Sequence, residues 1–149
     1  TIHARTKVQM YAPPVDYRAL GRARAALSIP VVANGDICSW EALVACAEQS
    51  GARAFMLGRA ALAYPHLFRT LRGDHSQAAV PYADVLARYM ALMANAGFEP
   101  LARLRRLKQW LGLARTFSPE AGDWFEQIKR VEEPERADEL LAALDVAAA

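Results

Sequence analysis

At 149 residues and 54% apolar side chains, the chain has the length of one ordinary domain or two small ones and can bury a core. Its formal net charge is only +2, and no run approaches the ~18 continuous apolar residues of a membrane span, which excludes a wholly disordered chain and offers no membrane helix. Two cysteines, Cys38 and Cys46, have no paired histidines near them, so the sequence argues against a metal site or disulfide framework and for a reducing, cytoplasmic setting. The chain opens Thr1-Ile2-His3 without an initiator methionine or a signal-peptide pattern, and reads as a piece of something longer.

Thr1-Ile2-His3 has the character of a strand end, followed by a basic loop with Arg5 and Lys7. Pro13-Pro14 forbids regular helix through that loop. Asp16 is a good N-cap for a helix through Leu20, Ala23 and Leu27, the 3–4 spacing of one buried face. Pro30-Val31-Val32-Ala33 is a strand buried on both faces, closed by Asn34-Gly35-Asp36. Ser39 caps a helix with an apolar stripe of Trp40, Leu43, Val44 and Ala47, and Gly51 stops it. Ala54-Phe55-Met56-Leu57 is the next strand, closed by Gly58-Arg59, before a short helical turn at 60–62. Strand and helix thus alternate with a unit every ~25 residues, the pattern of a parallel α/β sheet.

The polar stretch 72–77 is the expected linker, and everything beyond it is helical. Helices are expected over 82–96, over 100–117 with Leu104, Leu107, Leu111 and Ala114 on one stripe, and from Ser118-Pro119 to about Val131. Pro134 opens a last helix with Ala137, Leu140, Leu141 and Leu144, and the tail 146–149 frays. Residues 103–115 carry five bases (Arg103, Arg105, Arg106, Lys108 and Arg115) and no acid, whereas 132–145 carry six acids and one base. That segregation predicts one electropositive surface and one solvated acidic end.

Two candidate chemistries follow. Parallel strands that end in Asn34-Gly35-Asp36 and Gly58-Arg59 place backbone N–H groups and an arginine at one sheet edge, as a phosphate requires. His3 ends an earlier strand at the same edge, where it would contact a cofactor ring or its phosphate. The basic helix is a candidate for nucleic-acid phosphates, with a solvated helix face as the plain alternative. Cys38 and Cys46 have no base placed near them by spacing and read as structural.

The segments His3-Ala4-Arg5-Thr6, Pro30 to Asp36, Met56-Leu57-Gly58-Arg59-Ala60-Ala61-Leu62, Pro65-His66-Leu67-Phe68 and Arg106-Leu107-Lys108-Gln109-Trp110-Leu111-Gly112 together resemble the tRNA-dihydrouridine synthases, most of all the bacterial dihydrouridine synthase C subfamily. The resemblance covers the whole chain as the C-terminal half of such an enzyme. It implies that 1–75 are the last strands and helices of an incomplete FMN-binding (β/α)8 TIM barrel and that 79–149 are a small helical bundle that binds tRNA. A closed barrel needs on the order of 200 residues, so this chain cannot form one alone. The implied activity is reduction of tRNA uridine to 5,6-dihydrouridine, with NADPH as reductant through FMN.

By resemblance, His3, Asn34, Gly35, Asp36, Gly58 and Arg59 hold the FMN, while Arg105, Arg106, Lys108, Leu113, Arg115 and Lys129 meet tRNA. Leu113 and Lys129 stand where an aromatic and an arginine are expected, and lysine does not replace an arginine fork. The catalytic cysteine would precede Thr1, so no catalytic residue is expected in this chain. An incomplete barrel exposes strand edges, which invites pairing or swapping between chains and leaves the fragment inactive. The alternatives are another FMN-dependent barrel of the dihydroorotate dehydrogenase kind and a non-catalytic RNA-binding fragment.

Overall fold

The computed structural model describes residues 1–10, 12–74, 76 and 80–145, without the side chains of 137 and 141–145. Tyr11, His75 and Gln77, the tail 146–149 expected to fray, and Ala137, Leu141 and Leu144 of the expected last stripe lie outside the described residues or side chains. The chain divides into two compact units, Thr1–Ala61 and Leu62–Ala149.

In the first unit, β1 (Ile2–His3), α1 (Tyr17–Ala25), β2 (Val32–Asn34), α2 (Trp40–Ser50) and β3 (Ala54–Met56) alternate as expected. The strands form a parallel sheet in the order β1-β2-β3. Ile2 pairs with Ala33 and His3 with Asn34, while Ala33 and Asn34 pair in turn with Phe55 and Met56. Side chains alternate across a sheet, so Ile2, Ala33 and Phe55 share one face and His3, Asn34 and Met56 the other.

The expectation of a strand buried on both faces does not hold. Ala33 is fully buried, but Val32 and Asn34 are half-buried and Met56 is 52% exposed. Ala33 is the one fully buried side chain of the three strands, and Tyr17 and Leu20 of α1 and Cys46 of α2 are buried in the same unit.

The helix caps follow their sequence signals. Asp16 Oδ1 accepts from Ala19 N at 2.8 Å and Ser39 Oγ from Ala42 N at 3.2 Å, each worth about 1 kcal/mol. Gly51 closes α2 in the left-handed conformation at φ 65°. The expected stripes need correction. Leu27 lies beyond the end of α1 and is exposed, and Trp40, in the first turn of α2, is exposed because the buried side runs through Cys46 and Ser50. The helices α1 and α2 pack so closely that a Cβ on Gly21 would stand 3.0 Å from Gln49 O and 3.1 Å from Ser50 Cα.

The second unit is helical. It begins within α3 (Ala60–Ala63) and continues through α4 (Leu67–Thr70), α5 (Tyr82–Asn95), α6 (Pro100–Ala114), α7 (Pro119–Ile128) and α8 (Pro134–Asp145). Leu86, Leu104, Leu107, Leu111 and Ile128 are buried completely or nearly so in one core, with Leu140 of α8 packed against it. The division between units falls ahead of the polar 72–77 stretch because Ala63 is buried in this core and Leu62 and Tyr64 pack on it. Tyr82 Oη and Trp110 Nε1 both donate to Leu62 O, at 2.8 and 3.0 Å, and Tyr64 Oη donates to Phe117 O.

Candidate functional site

Parallel strands bring their C-terminal ends to one edge, and that edge collects every cofactor-site residue expected from sequence. β1 delivers His3, β2 delivers Asn34-Gly35-Asp36, and Gly58 and Arg59 follow β3. Side-chain hydrogen bonds then tie the three ends together. His3 Nδ1 bonds Asn34 Oδ1 at 2.5 Å, and Asn34 Nδ2 donates to Met56 O at 2.7 Å.

The centre of the edge is Asp36. Arg5 grips its carboxylate with both terminal nitrogens, one contact being Nη1 to Oδ1 at 3.2 Å, and Arg59 Nη2 reaches Oδ1 at 2.8 Å. Arg5 Nε also donates to Ala12 O at 2.9 Å, so its side chain, 0% exposed, is held along its length. The two forks hold the Asp36 carboxyl below the usual aspartate range, the Arg5 hydrogen bond contributing most. The reciprocal bond raises the Arg5 guanidinium above its ordinary value. Two arginines against one aspartate leave the cluster with a net charge of +1.

The backbone of this edge turns sharply. Gly35 has φ 149° and Asp36 φ 45°, and a Cβ on Gly35 would approach Val15 Cγ1 to 2.7 Å. Glycine is required there by both conformation and space. Aspartate is among the residue types that tolerate the left-handed region that follows. The buried Tyr17 donates from Oη to Gly35 O at 2.6 Å, and burial pushes its phenol up to about 12. Gly58 differs from Gly35. Its φ is not in the left-handed region, and a Cβ added to it meets nothing within 4 Å.

In the sequence Arg5 has the look of a loop charge, and nothing there marks Val15 or Tyr17 as partners of this edge. The Pro13-Pro14 turn delivers Val15 and Tyr17 to Gly35 across a gap that no local pattern spans. Arg5, two residues after His3, was legible as an inward-facing partner only through β1–β2 pairing.

In the helical unit the buried stripe of α6 is Leu104, Leu107, Leu111 and Ala114, as expected. Helical spacing puts Arg105, Lys108, Gly112 and Arg115 on one side of it and Arg106, Gln109 and Leu113 further round. The bases divide by partner. Arg103 Nη2 lies 3.8 Å from Asp138 Oδ2 of α8, Arg115 stacks 4.2 Å from the Phe125 ring centroid, and Lys129 pairs with Glu126. Arg106 donates to Gln109 Oε1 at 2.9 Å. Among the described residues, Arg105, Arg106 and Lys108 have no acidic partner.

The family model for dihydrouridine synthase (Dus) matches residues 1–148. This chain belongs to the dihydrouridine synthase family. It is 35% identical over 144 residues to the tRNA-dihydrouridine(16) synthase of Salmonella typhimurium, covering 96% of this chain and 45% of that protein. The Escherichia coli K12 enzyme of the same name is 32% identical over 146 residues, 97% of this chain and 46% of that protein. The Pasteurella multocida enzyme is 36% identical over 135 residues, 87% and 42% of the two. The chain therefore spans less than half the length of these dihydrouridine synthases. No described helix is long and apolar enough to cross a membrane, and no group of three or more metal-ligating side chains stands together among the described residues.

Proposed function

We propose that this chain is the C-terminal half of a flavin-dependent tRNA-dihydrouridine synthase, its sheet edge holding the phosphate of FMN and its helical unit holding tRNA. The relatives named above are synthases for position 16, and that uridine is the substrate we assign. The convergence of the Asp36 cluster and two glycine-bearing strand ends on one edge of a parallel sheet carries the reading. In barrel folds that edge bears the site, with phosphate held by the loops after the last two strands.

The donors fit a phosphate. Arg59 keeps 21% side-chain exposure at the edge, and the cluster has a net positive charge. The open space at Gly58 leaves its backbone approachable. Arg59, fixed in direction by Asp36, supplies the cationic fork. Arg5, wholly buried, orients Asp36 rather than reaching a ligand. The chemistry supplied by bound FMN is hydride transfer to the uracil ring, with NADPH as the reductant. Neither cysteine of this chain is assigned the protonating role; Cys46 is fully buried, and burial pushes its thiol up. On α6, Arg105, Arg106 and Lys108 are the primary tRNA phosphate contacts. Leu113 and Arg115 of the same helix and Lys129 at the end of α7 complete the surface, with Arg115 anchored on Phe125.

The test is tRNA binding by the chain in a salt series, with a flavin absorption spectrum after purification. Affinity is expected to fall steeply with salt, by a log–log slope of ~0.9 per phosphate neutralised, or ~0.7 for single-stranded contacts. The purified chain is expected to lack stoichiometric flavin. A flat salt response would remove the RNA assignment, and a stoichiometric yellow chain would show that this half suffices for FMN.

A further inference from the structure

The amide of Asn34 has both ends engaged. Its Nδ2 lies 2.7 Å from Met56 O, and its Oδ1 lies 2.5 Å from His3 Nδ1. A carbonyl oxygen only accepts, so the NH2 end of the amide must face Met56. The reverse orientation would set two acceptors against each other. Oδ1 therefore faces His3, and because Oδ1 only accepts, His3 Nδ1 must carry the proton.

We infer that Asn34 is a positioning residue that locks neutral His3 in its Nδ1–H tautomer, leaving an unprotonated Nε2 on an exposed ring at the carboxyl edge of the sheet. This is the reverse of the Nε2–H form that a free histidine side chain favours in water. An Nε2 lone pair accepts from an N–H or O–H of a bound molecule and repels an anionic oxygen. Resting on the flavin reading above, His3 then meets a ring N–H, the imide of an isoalloxazine or a uracil, and not the phosphate. Beyond its bond to Met56 O, the Asn34 amide keeps a second Nδ2–H, which joins Arg59 and the backbone as a donor at the edge.

The experiment is long-range 1H–15N correlation of the imidazoles in the full 15N-labelled chain, at a pH where histidine is neutral. The chain has three histidines, and loss of one signal set in His3→Gln assigns the ring. The expected result is His3 as the Nδ1–H form, its Nε2 resonating as an unprotonated nitrogen. Asn34→Ala is expected to return it to an Nε2–H-dominated mixture. A wild-type ring already in the Nε2–H form overturns the inference, as does an unchanged tautomer in Asn34→Ala. If Asn34→Ala fails to fold, the wild-type ring decides alone. Adding inorganic phosphate should leave the tautomer unchanged; conversion of His3 to imidazolium would make it a phosphate ligand and overturn the assignment. No arm requires flavin or RNA to bind, so this result stands or falls apart from the functional reading.

Discussion

The sheet edge of the first unit and the α6 face of the second both gather positive charge, by opposite means. At the edge, residues far apart in sequence meet only because three parallel strands are in register, and short hydrogen bonds fix each one. On α6, Arg105, Arg106 and Lys108 are gathered by helical repeat, Arg105 and Arg106 exposed and Lys108 half-buried, with Arg106 held only by Gln109 of the same helix. A rigid small ligand with a dianionic head suits the first arrangement. A long polyanion whose charge is delocalised along a backbone suits the second. Rigidity costs stability when disturbed, so the edge should be the fragile partner in every comparison.

Gly35→Ala should produce the largest effect. It combines a φ of 149° with a 2.7 Å approach to Val15, which strain and overpacking put at about 2–5 kcal/mol. Denaturant unfolding of the first unit, followed by Trp40 fluorescence, measures it; a loss below about 1 kcal/mol would mean that the turn relaxes freely.

Asp36→Asn comes next, because it strands the buried Arg5 fork without a counter-charge. Asp36 keeps 31% side-chain exposure, so about 2 kcal/mol is expected in place of the ~3–5 of a fully buried pair. The pH dependence gives a second readout. Since the native Asp36 pKa lies below its ordinary value of 3.8, the unfolded chain binds more protons between the two. The stabilisation is complete above the ordinary value and is lost as pH falls toward the native one. The gap between wild type and Asp36→Asn should therefore narrow in acid. A gap constant down to about pH 3 would break the assignment.

The contrast between the two regions also decides what sequence could reveal. Caps and core stripes of the second unit were legible because they are local: Ser118 with Pro119, and Leu104, Leu107, Leu111 and Ala114 at helical spacing. The strand ends were legible as turn signals, Asn-Gly-Asp and Gly-Arg. Their mutual bonding was not, since it depends on register. Arg5 looked like a solvated loop base and is wholly buried, and Trp40 looked like a core residue and is half exposed. In both cases tertiary packing, not the local pattern, chose the side.

On α6, Arg105→Ala and Lys108→Ala should each lower the salt slope of tRNA binding by up to ~0.9 without changing unfolding by more than about 0.5 kcal/mol. Lys129→Ala should do less, because that ammonium is already paired with Glu126. Equal effects at all three positions would mean that the free and paired bases are not distinguished by the ligand.

The smallest stability effect belongs to Gly58→Ala and separates a turn glycine from a ligand glycine. With no left-handed φ and nothing within 4 Å of an added Cβ, the substitution should change unfolding by no more than about 0.5 kcal/mol, against the large loss at Gly35. If the open space is where a phosphate approaches the backbone, the methyl should nonetheless matter to ligand. Amide NMR shifts at Gly58 and Arg59 are expected to move when FMN is added, even weakly bound, and to stay in place with riboflavin, which lacks the phosphate. In Gly58→Ala the FMN-specific movement should disappear while the unfolding midpoint holds. Retention of that movement would make Gly58 an ordinary turn residue and leave Arg59 as the phosphate's main contact.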